Sequence, residues 1–468
     1  MGRIDRMSRI TPQRLGLAAA VILTGLVVVH GIFLPNYAHN ETPQLGTLRL
    51  IRGNDIGLQW HQDARVEMES ARDFPRQLEG RSRMRRNRPV YSGVGSLIYR
   101  CVEPFAIDDR SSRNDQTRVA AWCLIGINAA CLIATVALLF DATRRWFGPD
   151  AASIAVLLLL SLRFMHRYAA ECLTHIYIHL PAALLLWLAV RGGQDGRSDD
   201  RRGWAAAFGW GVLFGVFYMT KQNVAVAASL FAVFLLLRTW RSALAYAAGL
   251  PWAYALWRVL IHWAGIPYAN IEMGRYRQGV WVLEDLGGGR IGRLFEGALD
   301  VLRYMPGVLW RHFGWIVPLA AVGAWLVVRR GSASDRLKAV LFAGVLAACT
   351  FAQTYASLCY TKRYIWAELY IVLCPLAGVA LAMAGERLAR SSRYPDVARL
   401  LLPAAVVTVH AIVEYHRLTR GLLTGWPVAA YGATVALVSV LFIMSVRIVS
   451  AGSVAPADSA SASDQGVQ

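Results

Sequence analysis

The stretch that decides the fold class is VAAWCLIGINAACLIATVALLF, residues 119–140, which contains no charged side chain. At about 1.5 Å of rise per residue, a helix of this length crosses the roughly 30 Å hydrocarbon core of a bilayer. Similar apolar blocks recur along the chain, which is 56% hydrophobic and only 17% charged. The sequence therefore predicts an all-α fold, a polytopic transmembrane helix bundle.

Windows of this kind indicate about twelve transmembrane spans. Their predicted limits are 15–34, 119–140, 151–165, 172–190, 204–219, 224–237, 243–264, 307–328, 339–358, 365–384, 400–414 and 426–446. The first block follows several arginines, as in a signal peptide, but it has full spanning length and LPNYAHN after it offers no convincing cleavage site. We interpret this block as an uncleaved anchor.

Arginine and lysine are concentrated in short connections on one predicted side of the membrane. These connections are TRRW at 143–146, RSDDRR at 197–202, VRRGSASDRLK at 328–338 and ERLARSSRYPDVAR at 386–399. Because basic residues resist translocation, this side is predicted to be cytoplasmic. Both termini fall on the same side, so we expect a multi-pass protein of a bacterial inner (plasma) membrane with both termini in the cytoplasm.

The predicted organisation is one transmembrane domain at 1–450, with a first outer loop at 35–118, a second outer loop at 265–306, and a disordered cytoplasmic tail at 451–468. In the first outer loop, DARVEMESARDF and PVYSGVGSLIYRCVEPF have patterns that predict short interfacial helices. The second outer loop carries the flexible LGGGR at 286–290 and has the composition of a lid over a substrate.

The formal net charge of +19 excludes few partners by itself, since basic surfaces bind both nucleic acids and membranes. Here the positive charge sits at the ends of loops beside predicted spans, where it meets anionic lipid headgroups. We therefore predict membrane lipids as partners and no nucleic acid. The seven cysteines are scattered singly with no CxxC pair, which argues against a zinc ribbon or a redox motif.

The first outer loop combines a carboxylate with a cluster of arginines. Asp63 opens DARVEMESA, and Arg88 and Tyr91 lie in NRPVYSG just before the second span. These groups could form solvated surface pairs or bind lipid headgroups. Glu41 and Asp55 compete with Asp63 as the carboxylate that faces a substrate.

Further ionisable residues lie at the outer ends of predicted spans. Glu171 opens the fourth span, Lys221 ends the fifth, and Lys362 and Arg363 precede the tenth. An ionisable group at the membrane edge is costly unless it faces a cavity, so each is a candidate site residue. The alternative is that the lysines are snorkelling anchors.

Glu171, His175 and His179 recur every four residues and share one face of a helix. Imidazoles at that spacing can bind a divalent metal, or they can form a polar stripe that faces other helices. We favour the polar stripe, and so predict no metal ligands and no cofactor.

Four stretches resemble, in order, the GT-C superfamily of integral-membrane glycosyltransferases. They are DARVEMESA, NRPVYSG, AAECLTHIYIHLPAALLLWLAV and GWGVLFGVFYMTKQNVAVAASLFAVFLLL. The resemblance covers roughly residues 1–280 and is to the branch that takes sugars from polyprenyl phosphates, which includes mannosyl- and arabinosyltransferases. The chain departs from that branch at Glu67, where an aromatic residue is usual, and at Ser92, where the final proline of an RPxYP-like stretch is usual.

The resemblance implies an inverting glycosyltransferase that moves a hexosyl or pentosyl group from a polyprenyl-phosphate donor. The acceptor would be a glycolipid, a glycan or a protein at the outer face of the inner membrane. Asp63 would be the catalytic base. The implied substrate-binding residues are Arg88, Tyr91, Glu171, Lys221, Lys362 and Arg363. The cations among them, Arg88, Lys221, Lys362 and Arg363, would hold the phosphate.

A multi-span transporter or lipid-linked-sugar flippase has a similar topology and is the main alternative. Transporters usually show matching halves and helices broken at the midplane. This sequence shows no half-to-half repeat, and its charged groups gather at one face. A polymerase or ligase of lipid-linked glycans usually has its longest loop late in the chain, whereas here the longest loop is the first.

Overall fold

The computed structural model describes residues 18, 21–29, 47–49, 57–59, 62–79, 89–108, 110–170, 172, 179–192, 201–221, 224–236, 239–266, 279–330, 333–356, 368–418 and 425–452. The helices are α1, residues 21–29; α2, Gln62–Arg72; α3, Phe74–Glu79; α4, Pro89–Ala106; α5, Arg113–Phe147; α6, Pro149–Ser161; α7, Arg163–Ala170; α8, His179–Gly192; α9, Arg201–Tyr218; α10, Ala225–Leu236; α11, Trp240–Trp263; α12, Val280–Gly287; α13, Ile291–Phe313; α14, Ile316–Arg330; α15, Ala333–Ala356; α16, Tyr370–Ser391; α17, Pro395–Leu418; and α18, Trp426–Gly452.

The described residues confirm a helical, multi-pass membrane architecture. Five helices are long and apolar enough to cross a bilayer, namely α5, α11, α16, α17 and α18, and the bent pair α13 and α14 would make six. Shorter apolar segments are Pro149–Ser161, His179–Arg191, Gly203–Tyr218, Ala225–Leu236 and Phe342–Ala356. The total of about twelve spans stays a prediction.

Two predicted spans are wrong as single straight helices. The span predicted at 307–328 is divided between α13 and α14, which meet at an angle of 101°. Gly314 ends α13 with φ +50, a conformation that favours glycine, and an average of hydropathy over a window cannot detect this break. The span predicted at 151–165 ends earlier, because Leu162 is extended and the chain restarts as α7.

The first outer loop contains a small sheet that was not predicted. Thr47–Arg49 and Gly57–Gln59 form antiparallel strands β1 and β2, with Leu48 opposite Leu58. Each strand is only three residues long, too short to show a period of two in the sequence. The predicted helices of this loop are confirmed as α2 and α4.

The centre of the bundle is α6. All its residues from Ala151 to Ser161 are buried, so the helix has no polar face. It packs against α5, α16, α17 and α18. Ser153 and Ser161 satisfy their hydroxyl groups by donating to the carbonyls of Pro149 and Leu158 in their own helix.

The two ends of the bundle differ in character. At one end, Arg447 of α18 makes two hydrogen bonds to Asp150 of α6, at 2.8 and 2.7 Å, and Asp141 accepts from Arg144 and Arg145 at 2.9 Å. At the opposite end, where α5 begins, α2 packs against α4 and α5. We call this the α2 end. Helix α6 begins at the other end and runs back towards the α2 end, so the α2 end also contains the last residues of α6 and all of α7.

Close backbone contact joins α9 to α11. A Cβ atom on Gly211 would collide with the Tyr246 carbonyl oxygen, and one on Gly249 would collide with the Phe208 carbonyl oxygen. Gly211 and Gly215 are four residues apart, the small-residue spacing that lets membrane helices approach closely. The glycines of α9 and α11 therefore allow these two helices to pack closely, and α9 leads directly to Lys221.

Replacing Gly211 by Val is expected to lower the free energy of unfolding by about 1–3 kcal/mol, because the new side chain would separate α9 from α11. Gly209→Val is the matched control, since a Cβ there meets nothing within 4 Å. Thermal unfolding of both variants in detergent measures the effect. Equal unfolding temperatures would show that the close contact does not stabilise the bundle.

Candidate functional site

Helix α2 places Asp63 in its first turn, where a carboxylate interacts favourably with the helix dipole. Ala64, Met68 and Ala71 recur at helical spacing and are buried. The opposite face carries a surface pair in which Arg65 donates to Glu69 at 3.0 Å. The structure describes the backbone of Asp63 but not its side chain, so the catalytic role of Asp63 stays a prediction.

Glu67 and Ser92, the two residues that depart from the GT-C pattern, contact each other. The Ser92 hydroxyl of α4 donates to the Glu67 carboxylate of α2. Glu67 is 1% exposed and Ser92 is fully buried. This hydrogen bond joins α4 to α2 one helical turn after Asp63. The two departures from the family pattern are therefore one interaction and not two separate changes.

Replacing Ser92 by Ala is expected to lower the free energy of unfolding by about 1–3 kcal/mol, because the buried Glu67 carboxylate loses a donor. Ser96→Ala is the control on the same helix, since Ser96 lies one turn further along and is also buried, at 5% exposed. Thermal unfolding compares the two. Equal loss in both variants would contradict a specific role for the Glu67 contact.

Tyr91 and Tyr99 of α4 are both buried. Burial, together with Glu103, raises the pKa of Tyr99 to about 12, and its hydroxyl donates to the Glu103 carboxylate at 3.2 Å. Tyr99 therefore keeps its proton at neutral pH and can donate this hydrogen bond. Tyr91 is fully buried at the start of the same helix, and its predicted contact with substrate stays a prediction.

Lys221 lies just beyond the C-terminal end of α9 and is only 4% exposed. Its backbone N–H donates to the Phe217 carbonyl at 3.1 Å, which continues the last turn of the helix. The carbonyls at a helix C-terminus favour a cation there. The Lys221 ammonium also interacts electrostatically with the His179 ring.

His179 opens α8 and is completely buried. Its ring stacks on Phe164 of α7, with centroids 5.5 Å apart, and meets the edge of Tyr370 at 5.3 Å. The Tyr370 hydroxyl donates to the His179 carbonyl at 2.7 Å. Neither ring nitrogen of His179 has a hydrogen-bond partner in the described part of the chain.

Glu368 lies in a short turn directly before α16 and is fully buried. Neither of its carboxylate oxygens has a hydrogen-bond partner among the residues that the structure describes. Glu368 lies two residues before Tyr370 in the chain. A buried carboxyl group without a hydrogen bond is unfavourable, and such groups are concentrated at binding sites.

His179, Lys221, Glu368 and Tyr370 thus form a cluster at the α2 end, which we call the buried polar cluster. It combines a cation, an imidazole, a carboxyl group and a phenol from four separate parts of the chain. The cation suits a phosphate, and the unpaired atoms of His179 and Glu368 suit hydroxyl groups. The sequence analysis singled out His179 and Lys221. Tyr370 stood within an apolar block and carried no signal of its own.

Several predicted site residues lie outside the described residues. These are Arg88, Glu171, Lys362 and Arg363, together with the competing carboxylates Glu41 and Asp55. His175 of the proposed polar stripe lies outside as well. Within the described ranges, no three His, Cys, Asp or Glu side chains are placed to hold a metal. Glu171 and His175 are outside these ranges, so the predicted absence of a metal site stays a prediction.

Part of the chain matches a known protein family. Residues 117–263 match the sequence model of the family described as dolichyl-phosphate-mannose-protein mannosyltransferase. The matched segment runs from the start of α5 to the end of α11 and contains His179 and Lys221. No curated protein sequence matches the chain.

Comparison with solved structures supports the same architecture. The crystal structure of ArnT from Cupriavidus metallidurans bound to undecaprenyl phosphate is similar with a TM-score of 0.51 and 17% identity, over 93% of this chain and 76% of that one. The Archaeoglobus fulgidus oligosaccharyltransferase in complex with Zn and sulfate is more distant, with a TM-score of 0.49 and 14% identity over 86% and 53% of the two chains. The chain therefore shares the fold of ArnT.

Proposed function

We propose that this chain is a GT-C glycosyltransferase that transfers a sugar from a polyprenyl-phosphate donor to an acceptor at the outer face of the inner membrane. The observation that carries the proposal is the location of the buried polar cluster. His179 and Lys221 lie within the segment that matches a lipid-phosphate-mannose-dependent transferase family, on a fold shared with a protein crystallised with undecaprenyl phosphate.

The chemistry needs few catalytic groups, because a sugar C1 bonded to a phosphate is already activated. The acceptor hydroxyl oxygen forms a bond to C1 while the bond from C1 to the phosphate oxygen breaks. The electron pair leaves with the polyprenyl phosphate, and Asp63 takes the hydroxyl proton. Attack from the side opposite the leaving group inverts the anomeric carbon.

Charge stabilisation would come from the cations of the protein. Lys221, at the α2 end, would hold the phosphate, with Arg88, Lys362 and Arg363 as further donors. Glu368 and His179 supply unpaired hydrogen-bonding atoms for the sugar hydroxyls. Since the donor phosphate is the leaving group, this reaction requires no redox or organic cofactor.

Orientation is part of the proposal, with both termini in the cytoplasm and α4 outside. Cys101 of α4 is exposed and forms no disulfide with another cysteine that the structure describes, so a membrane-impermeant maleimide added to intact spheroplasts is expected to label it. The experiment uses a Cys359→Ser background, so that Cys359 can neither be labelled nor pair with Cys101. Cys101→Ser in the same background is the control. Labelling that needs lysed membranes would contradict this orientation.

Mass spectrometry of envelope glycolipids, glycans and proteins from strains with and without the gene tests the proposed activity. We expect one sugar to disappear from one class of acceptor and its polyprenyl-phosphate form to accumulate. Plasmid-borne wild-type protein should restore both. Identical profiles in the two strains would contradict the proposal.

A further inference from the structure

We infer that the bundle contains a second lipid site, separate from the buried polar cluster, and that this site binds the acceptor, a lipid with a long apolar chain and an anionic head group. The inference rests on the proposed transferase function and specifies its acceptor. It starts from a groove between α1, α6, α17 and α18 that the transfer chemistry does not use.

The groove has a volume of about 490 Å³. Ligand sites in proteins commonly enclose about 300–1,000 Å³. Most of its wall is aliphatic, and its lining includes Leu23, Val27, Leu157, Leu160, Val435 and Val438. A wall of this kind binds an alkyl or isoprenoid chain, whereas a protein or soluble glycan acceptor would find few hydrogen-bonding groups there.

The groove becomes polar at the α2 end of the bundle. His166, Tyr415 and Tyr431 line it there, beside Ser161, the last residue of α6. The Tyr415 and Tyr431 rings stack with centroids 4.4 Å apart, and the Tyr431 hydroxyl lies 3.5 Å from His166 Nε2. The groove is therefore amphipathic along its length, as a lipid is.

Charged residues next to this polar end favour an anionic head group. Arg417 donates to the Glu414 carboxylate at 2.8 Å, and Arg163 approaches the same carboxylate at 3.8 Å. Two guanidinium groups thus share one carboxylate. The side chains of Arg163 and Arg417 are 26% and 32% exposed while that of Glu414 is 1% exposed, so the accessible part of the group is cationic.

An unsatisfied histidine lies in the same group. His410, one turn before Glu414 on α17, is 3% exposed, and neither of its ring nitrogens has a hydrogen-bond partner within the described ranges. His410 and Arg417 both approach Gly314 and therefore lie near each other. A Cβ atom built on Gly314 would be 3.3 Å from Arg417 Nη1 and 4.0 Å from His410 Cε1. A buried imidazole without partners is unfavourable unless a ligand supplies them.

Helix α7 links the groove to the buried polar cluster. On this helix His166 lines the groove, Arg163 approaches Glu414 at 3.8 Å, and Phe164 stacks on His179 at 5.5 Å. The head group of a lipid in the groove would thus lie one short helix away from the cluster. This arrangement suits an acceptor that must bring a hydroxyl group to the donor sugar.

Photo-crosslinking tests the site without requiring turnover. The full chain is placed in phosphatidylcholine nanodiscs with a trace of diazirine-bearing phosphatidic acid, phosphatidylcholine or polyprenyl phosphate, and labelled peptides are identified by mass spectrometry. We expect phosphatidic acid to label peptides of α17 and α18 about tenfold more than phosphatidylcholine does. Equal labelling by the two lipids, or stronger labelling there by polyprenyl phosphate, would overturn the inference.

Val435→Trp fills the groove and is expected to reduce this labelling about tenfold or more. Val328→Trp is the matched control, because Val328 lines a different apolar cleft, of about 80 Å³, and should leave labelling unchanged. Arg417→Gln should remove the preference for phosphatidic acid but keep the labelling by phosphatidylcholine. Equal labelling in Val435→Trp and wild type would overturn the inference.

The acceptor role is tested apart from the transferase proposal. If Val435→Trp lowers the rate of sugar transfer to lipid and Val328→Trp does not, the groove binds the acceptor. If Val435→Trp transfers sugar to lipid as fast as wild type, the acceptor role is wrong although the transferase stands. Absence of transfer by the wild type to any acceptor would instead contradict the proposed function.

Discussion

Replacing Asp63 by Asn is expected to lower the rate of sugar transfer by about 10²- to 10⁴-fold, the usual contribution of a general base. The amide has nearly the same shape as the carboxylate but cannot accept the hydroxyl proton. Asp63 lies in the first turn of α2, and the residues known to be buried on that helix, such as Ala64, Met68 and Ala71, are left unchanged. Membrane insertion and abundance should therefore match wild type, and initial rates of the purified variant measure the loss.

Three further carboxylates serve as controls for Asp63. Asp55→Asn and Glu41→Gln test the competing residues of the same loop. Glu69→Gln removes a carboxylate from α2 that makes only a surface pair with Arg65, whose side chain is 69% exposed. All three should retain near wild-type rates; a loss confined to Asp55→Asn or Glu41→Gln would move the catalytic role to that residue.

Replacing Lys221 by Met is expected to lower kcat/KM for the lipid-linked donor by about 10- to 150-fold. This range corresponds to the loss of a hydrogen bond to a charged group, about 1.5–3 kcal/mol. Lys221 is only 4% exposed, and a hydrogen bond to a charged group is stronger away from bulk water. Steady-state kinetics with varied donor concentration gives the value.

Lys221→Arg separates charge from structure in this experiment. It retains the cation, and it should recover a part of kcat/KM that Lys221→Met loses. Thermal unfolding of both variants shows whether a lower rate reflects misfolding. If Lys221→Met is as stable and as fast as wild type, the phosphate is held elsewhere.

The sequence was most informative where the signal is local. The uncharged run at 119–140 predicted α5, and the pattern from Asp63 to Ala71 predicted α2, because both depend on side-chain periodicity and length. The break between α13 and α14 was not predictable in this way. It depends on the conformation of Gly314 within an apolar window that is otherwise continuous.

The candidate site was predictable residue by residue but not as an assembly. His179 and Lys221 each stood out as polar groups at the ends of apolar blocks, yet only the packing of α7, α8 and α16 brings His179 against Phe164 and Tyr370. The Glu67–Ser92 hydrogen bond is a similar case. Each residue looked like an isolated departure from a family pattern until α2 and α4 were seen in contact.

The most direct test of the proposed glycosyltransferase is a transfer assay with purified protein in detergent. The donor is the polyprenyl-phosphate sugar that accumulates in the strain without the gene, and the acceptors are lipids from the same strain. We predict that wild-type protein forms a new glycoside and releases polyprenyl phosphate in equal amounts, and that Asp63→Asn forms neither. Translocation of the lipid-linked sugar in sealed vesicles, with no glycoside formed in detergent, would contradict the account and favour a flippase.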